Sequence, residues 1–205
     1  LFRLFGAGLL LSTFVFSCSF PKKQANKSKH AMVVSAHPLA SEIGLQIIKN
    51  GGNAVDAAVA VQFALAVVYP SAGNIGGGGF FVYRSNGGEC STLDFREKAP
   101  LNAQRDMYLD TLGNVVDNLS LIGHLAVGVP GTVDGMVTIH EKYGRLSWEK
   151  VIQPSIDLAN NGFVLTEKQA YSLNYFNKSK LNFNDYNPYF KDAFHKGDTL
   201  LLRDL

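Results

Sequence analysis

Arg96 stands in the run Leu93-Asp94-Phe95-Arg96-Glu97-Lys98-Ala99-Pro100, with one carboxylate two positions before it and another directly after it. A guanidinium is planar and carries a fixed fork of donors, so it binds a carboxylate through two parallel hydrogen bonds. Residue type alone leaves two readings. Arg96 either receives a carboxylate ligand, its stem buried at the end of an apolar strand and its head in a cleft, or closes an ion pair with Asp94 or Glu97. Neighbouring carboxylates can also do acid and base work. Beside an arginine, the better role for Asp94 and Glu97 is to orient it or support the strand.

Upstream lies a second feature, four consecutive glycines from Gly76 to Gly79, preceded by Asn74 and followed by Phe80-Phe81-Val82-Tyr83. A phosphate loop needs a lysine entering a helix, and a dinucleotide site needs a strand before the glycines and a helix after them. Here the order is helix, glycines, strand, and the run holds no lysine. Glycine lacks a Cβ, so the run lets backbones approach closely. It reads as a packing device that brings a buried helix against the strand pair carrying Arg96, with Asn74 and the glycines shaping the backbone behind the site.

The remaining reactive residue types carry less. His37, His124, His140 and His195 show no metal-ligand spacing, and His30 lies in a polar spacer, so no metal is expected. Ser41 and Thr132 fall near helix starts and read as caps. No G-x-S-x-G elbow is present. Of the two cysteines, Cys18 and Cys90, Cys90 lies beside a strand and reads as a small core residue.

The elements that must position these groups follow from pattern. Ala31 to His37 reads as a strand. A helix follows from Pro38, which suits a first helical position, and Gly51 stops it. Asn53 caps a second helix with Asp56 in its first turn. That helix is apolar almost all round and should be buried, and Pro70 ends it. Phe80–Ser85 and Glu89–Glu97 read as a hairpin around the turn Asn86–Gly88. A polar stretch, Lys98–Leu121, turns at Gly113-Asn114, and a short strand and a glycine- and proline-containing turn come next. A helix over Thr132–Tyr143 stops at Gly144. Ser147 should cap the next helix and Pro154 should kink or restart it. A further helix begins near Thr166, and Asn174–Lys196 reads as irregular. The order suggests an antiparallel sheet covered by helices.

The 205 residues carry a formal charge of +2 and are 46% hydrophobic. That is an ordinary globular composition with no basis for nucleic-acid binding; the basic cluster Lys22–Lys29 reads as a solvated spacer. Residues 1–18 differ: Arg3, an apolar run from Leu4 to Phe16 and small residues before Cys18 form an export-signal pattern. The run is shorter than the roughly 20 residues of a spanning helix. Val15-Phe16-Ser17-Cys18 also resembles a bacterial lipobox, apart from Phe16, which makes Cys18 a candidate for lipidation. Starting at Leu1 and stopping at Leu205, in the run "GDTLLLRDL" with no terminating signal, the chain reads as a fragment of a longer protein.

The blocks "GGNAVDAAVAVQFALAVVYPSAGNIGGGGFFVYRS", "LDFREKAP", "HLAVGVPGTVDGM", "YGRLSWEKVIQPSIDLANNGFVLTE" and "GDTL" stand in one order. Together they resemble the γ-glutamyltranspeptidase family, over about Ala31 to Leu205. The resemblance implies an α+β chain, the front part of the αββα four-layer N-terminal-nucleophile hydrolase fold. It divides the sequence into a signal over 1–18, a polar basic spacer over 19–30 and a partial large-subunit domain over 31–205.

By the same resemblance, a precursor cleaves itself and exposes an N-terminal threonine on a small subunit. That threonine serves as nucleophile and its α-amino group as base. It lies beyond Leu205, so no catalytic residue is expected in this chain, which alone should be inactive. A γ-glutamyl group, typically of glutathione, passes to the threonine and then to water or to an amino-acid or peptide acceptor. Arg96 is the substrate-binding residue, pairing with the donor's α-carboxylate, with Asp94, Glu97, Asn74, Gly76, Gly77, Gly78 and Gly79 in support. No cofactor is implied. The location implied is the bacterial periplasm or envelope, with the membrane reached only through a lipid on Cys18. Two other readings stand beside this one: a cephalosporin-type acylase or poly-γ-glutamate-processing relative, and an inactive truncated envelope lipoprotein that only binds γ-glutamyl ligands.

Overall fold

Asn53 and Asp56 close a reciprocal capping box. The Asn53 side chain accepts from the N–H groups of Val55 and Asp56, and the Asp56 carboxylate accepts from the Asn53 N–H at 2.8 Å. This pair starts the helix on which the rest is built. In the computed structural model that helix, α2 (Ala54–Val68), packs against α1 (Pro38–Lys49), α3 (Thr132–Tyr143) and α4 (Trp148–Asn161). Its apolar composition all round is met by burial on several sides, with Val59, Ala60, Ala64 and Val68 fully enclosed. The structure describes residues 27–73, 75–179 and 193–205. The chain divides into two units, Leu1–Ala31 and Met32–Leu205, and every element named here belongs to the second.

The strands come in two antiparallel pairs. β1 (Phe80–Arg84) and β2 (Cys90–Asp94) form a hairpin in the register Phe80 with Asp94 and Arg84 with Cys90. Its turn closes through Gly88, whose φ of 91° is readily accessible only to glycine. β3 (Phe163–Val164) pairs with β4 (Thr199–Leu200), and α5 (Glu167–Ser179) lies between them in sequence. Side chains alternate along the hairpin. Phe81, Tyr83 and Leu93 pack inward against the cluster around Ile47, Met136 and Val151, while Phe80 and Val82 face outward, 65% and 80% exposed. A second cluster joins α1, the end of α2, the end of α4 and the β3–β4 pair around Val68, Phe163 and Leu165. Each fully buried residue of this size contributes roughly 1.5–3 kcal/mol against exposure.

Several expectations are corrected. Ala31–His37 is not a strand. Its side chains from Met32 to His37 alternate in exposure as a strand's do, but a strand exists through its ladder, and no described strand pairs with it. The returning strand ends at Asp94 rather than Glu97, because the Asp94 side chain turns back to accept the Arg96 N–H at 3.0 Å. The short strand before α3 is a 3-10 turn, His124–Ala126, followed by a single bridge between Lys98 and Val129. Pro154 does not interrupt α4, which runs through it. Ser147 holds the cap position of α4 but makes no capping hydrogen bond. Neither Ser41 nor Thr132 is a cap. His37 and Gly131 hold those positions, and the Ser41 hydroxyl instead meets that of Ser35 at 2.7 Å. Helix continues from Asn174 to Ser179, where irregular chain was expected. Cys90 is exposed rather than in the core, because it lies on the outward face of β2.

Candidate functional site

The hairpin delivers Arg96 to its own rim. The Asp94 carboxylate accepts the Arg96 backbone N–H at 3.0 Å and ends β2 in a tight turn. Beyond it, Arg96 Nη2 donates to Glu97 Oε1 at 3.0 Å, and the guanidinium carbon lies 5.9 Å from the centre of the Phe80 ring. Its own backbone N–H and the Arg96 guanidinium hold the Glu97 carboxyl below the usual carboxylate range. The Arg96–Glu97 contact is solvent-facing, with side chains 56% and 40% exposed. The guanidinium is thus aimed by an ionised neighbour and an aromatic face, while a fork of five donors has only one engaged by that carboxylate.

The grooves between α1 and α4 and beside β3 do not include Arg96. Phe80 and Val82 leave the outward face of the hairpin largely exposed, so Arg96, over the Phe80 ring, stands at the edge of an open apolar surface.

The glycine run does bring backbones together, though its partner is not α2. The carbonyl of Gly77 accepts from the N–H groups of Gly131 and Thr132 at 2.8 and 3.1 Å, so the start of α3 is tied to the run. A methyl group built on Gly78 would lie 2.5 Å from Glu97 N and Phe95 O and 2.6 Å from Arg96 Cα. The Gly79 carbonyl accepts the Phe95 N–H at 3.0 Å. No such close approach is described for Gly76, which is exposed, and Asn74 lies outside the described residues, as do Cys18 and the rest of the signal segment.

Two of the histidines hold structural contacts. The ring of His37 faces the first amide of α1 and the Gln169 side chain, and burial pushes its pKa down. His140 Nε2 lies 3.5 Å from Asp56 Oδ1. Among the described residues no group of three or more His, Cys, Asp or Glu could hold a metal ion, and no helix is long and apolar enough to cross a membrane.

The sequence reading missed Gly131, Gly135 and the α3 start as part of this site. Their signal was the four-residue spacing, which puts two glycines on one helical face.

The description "Gamma-glutamyltranspeptidase" belongs to the family whose model matches residues 40–204. A glutathione hydrolase proenzyme of Pseudomonas sp. (strain A14) is 45% identical over 95% of this chain and 35% of its own length. That of Escherichia coli (strain K12) is 45% identical over 87% of this chain and 32% of its own. The crystal structure of Helicobacter pylori gamma-glutamyltranspeptidase superposes with a TM-score of 0.82 at 48% identity, covering 88% of this chain and 53% of that one. The chain spans about a third of the length of these curated relatives.

Proposed function

As the chain belongs to the gamma-glutamyltranspeptidase family, we propose that it is the front part of a precursor that transfers and hydrolyses γ-glutamyl groups, glutathione among its donors. Arg96 takes the donor's α-carboxylate. The observation that carries this reading is the arginine at the hairpin rim, held by Asp94 and Glu97 on one side and Phe80 on another, with donors left to form a bidentate pair.

In this account the donor's γ-amide bond breaks and an ester to the threonine oxygen of the small subunit forms. The leaving amine takes up the hydroxyl proton, and water or an amine then releases the acyl group. Arg96 binds and orients the substrate and does no bond-making.

The uncovered face of Phe80 and Val82 supports a further layer of sheet supplied by the rest of the precursor, as the four-layer arrangement requires. Such a layer would also wall a cleft beside Arg96. Export belongs to the same proposal. The pattern over residues 1–18 is a secretory one, and Cys18 is the candidate lipid attachment point.

The test is turnover of a chromogenic γ-glutamyl anilide by the purified, processed precursor. Release of the chromophore supports the reading. Equal turnover of an acyl anilide without the α-carboxylate would instead point to an acylase. Absence of turnover from a correctly processed protein would sink it.

A further inference from the structure

We infer that Phe95 is a positioning residue for substrate recognition. Seated in a socket of Gly78, Gly79, Gly131 and Gly135, it fixes the direction in which Arg96 presents its guanidinium. The inference rests on the reading of Arg96 as the carboxylate-binding residue and concerns how that residue is held.

Phe95 is half-buried, and glycines from two segments meet its ring and backbone. A methyl built on Gly135, in the first turns of α3, would fall on the Phe95 ring, 2.7 Å from its Cβ and 2.8 Å from Cδ1. One built on Gly79 would lie 3.0 and 3.1 Å from Cε2 and Cζ of the same ring. Gly131 meets the carbonyl of Phe95: a methyl there would run into its oxygen and stand 2.9 Å from its carbon and 3.1 Å from the Arg96 oxygen. Gly78 lies flat on the backbone from Phe95 to Glu97.

Hydrogen bonds tie the same pieces. Phe95 N–H reaches the Gly79 carbonyl, Gly131 and Thr132 reach that of Gly77, and Lys98 and Val129 exchange N–H···O bonds at 3.0 and 2.8 Å. Arg96 is the residue between these anchors. Its backbone is held between these anchors, while its solvent-facing guanidinium rests on Glu97 and the Phe80 ring. Bidentate pairing with a carboxylate needs the fork aimed to within a narrow angle, and the backbone anchor sets the point from which Glu97 and Phe80 aim it.

The experiment compares two donors in the processed precursor: a γ-glutamyl anilide and the 4-aminobutyryl anilide, which is the same acyl group without its α-carboxylate. The ratio of their kcat/KM values reports carboxylate recognition alone. A merely structural lesion lowers both values together and leaves the ratio where it was.

Gly135→Ala is expected to lower the ratio between about tenfold and about a hundredfold, the range produced by sub-ångström to 1 Å misplacement of a binding group. Leu165→Ala, a buried truncation in the other core cluster, is expected to lower stability with the ratio unchanged. If Gly135→Ala does not yield folded protein, Phe95→Leu decides, because it empties the ring's seat without adding bulk, and the same loss of ratio is expected.

An unchanged ratio in the folded variants, with Arg96→Lys abolishing it, overturns the socket's role and leaves the Arg96 reading intact. A parent enzyme that does not prefer the α-carboxylate donor overturns the reading itself, and the inference with it.

Discussion

Asp56 Oδ1 lies 3.5 Å from His140 Nε2, and neither side chain is open to water, at 0% and 10% exposure. Asp56 also accepts from the N–H groups of Asn53, Arg145 and Leu146, so one carboxylate ties the start of α2 to the corner between α3 and α4. The α3 helix is the one whose other end is bonded to the glycine run behind Arg96. Removing Asp56 would leave three part-buried amide donors without their carboxylate acceptor. Asp56→Ala is therefore expected to cost about 3–5 kcal/mol, and Asp56→Asn less, because the amide keeps one acceptor oxygen. Urea titration of both variants checks the order; equal midpoints for Asp56→Ala and wild type would contradict it.

Acid should weaken the fold through His37. Burial lowers its pKa from the ordinary 6.5, with Glu42 opposing. Below that value the unfolded chain binds a proton that the folded chain resists. The contribution is therefore fully present above pH 6.5 and is lost as pH falls through the lower folded value. His37→Asn keeps a cap at the start of α1 but removes the titration. Its urea midpoint is expected to change less than wild type's between pH 7.5 and pH 5, a window set about the 6.5 reference. Parallel pH profiles would show that His37 is not the group responsible.

Gly78→Ala places a methyl 2.5 Å from backbone atoms of Phe95 and Glu97, which cannot rotate away as a side chain can. It is expected to destabilise by about 1–3 kcal/mol or more and to impair processing of the precursor. Gly87→Ala is the matched control, since its methyl would meet only Ser85 Oγ at 3.6 Å. The yield of processed protein from the two variants gives the comparison, and normal processing in Gly78→Ala would count against close packing at the run.

The Cys90 thiol is exposed and unpaired with another cysteine. In a Cys18→Ser background the folded protein should react fully with a thiol reagent without denaturant, and Cys90→Ser should leave the melting temperature unchanged. Protection of the thiol in the processed precursor would show that the outward face of β2 is covered there.

The helices were legible wherever capping and composition agreed. Asn53 with Asp56, the unbroken apolar face of α2, the Gly144 stop and the start near Thr166 are local signals, and each stands where pattern placed it. Where a feature depends on a distant partner, the sequence was silent or misleading. Met32 to His37 has strand residues but no neighbouring ladder. Cys90 looked like a core residue because the side of the hairpin that faces out is fixed by which face meets α3. The capping role of His37 escaped notice because Ser, Thr, Asp and Asn are the usual signals.

At the site, the contact of Arg96 with a flanking carboxylate could be read from residue type, while the turn after Asp94 and the socket under Phe95 could not. Its glycines come from two segments far apart in sequence, Gly78–Gly79 and Gly131–Gly135, and only folding brings them to one ring.

The central claim is that Arg96 binds the α-carboxylate of a γ-glutamyl donor, and steady-state kinetics of Arg96→Lys in the processed precursor test it most directly. Lysine keeps the charge and loses the bidentate fork. The account predicts a KM for the γ-glutamyl anilide raised by about tenfold or more, the equivalent of one lost charge-assisted hydrogen bond, with kcat changed far less. An unchanged KM would contradict it and return Arg96 to the role of an ion-pair partner for Glu97.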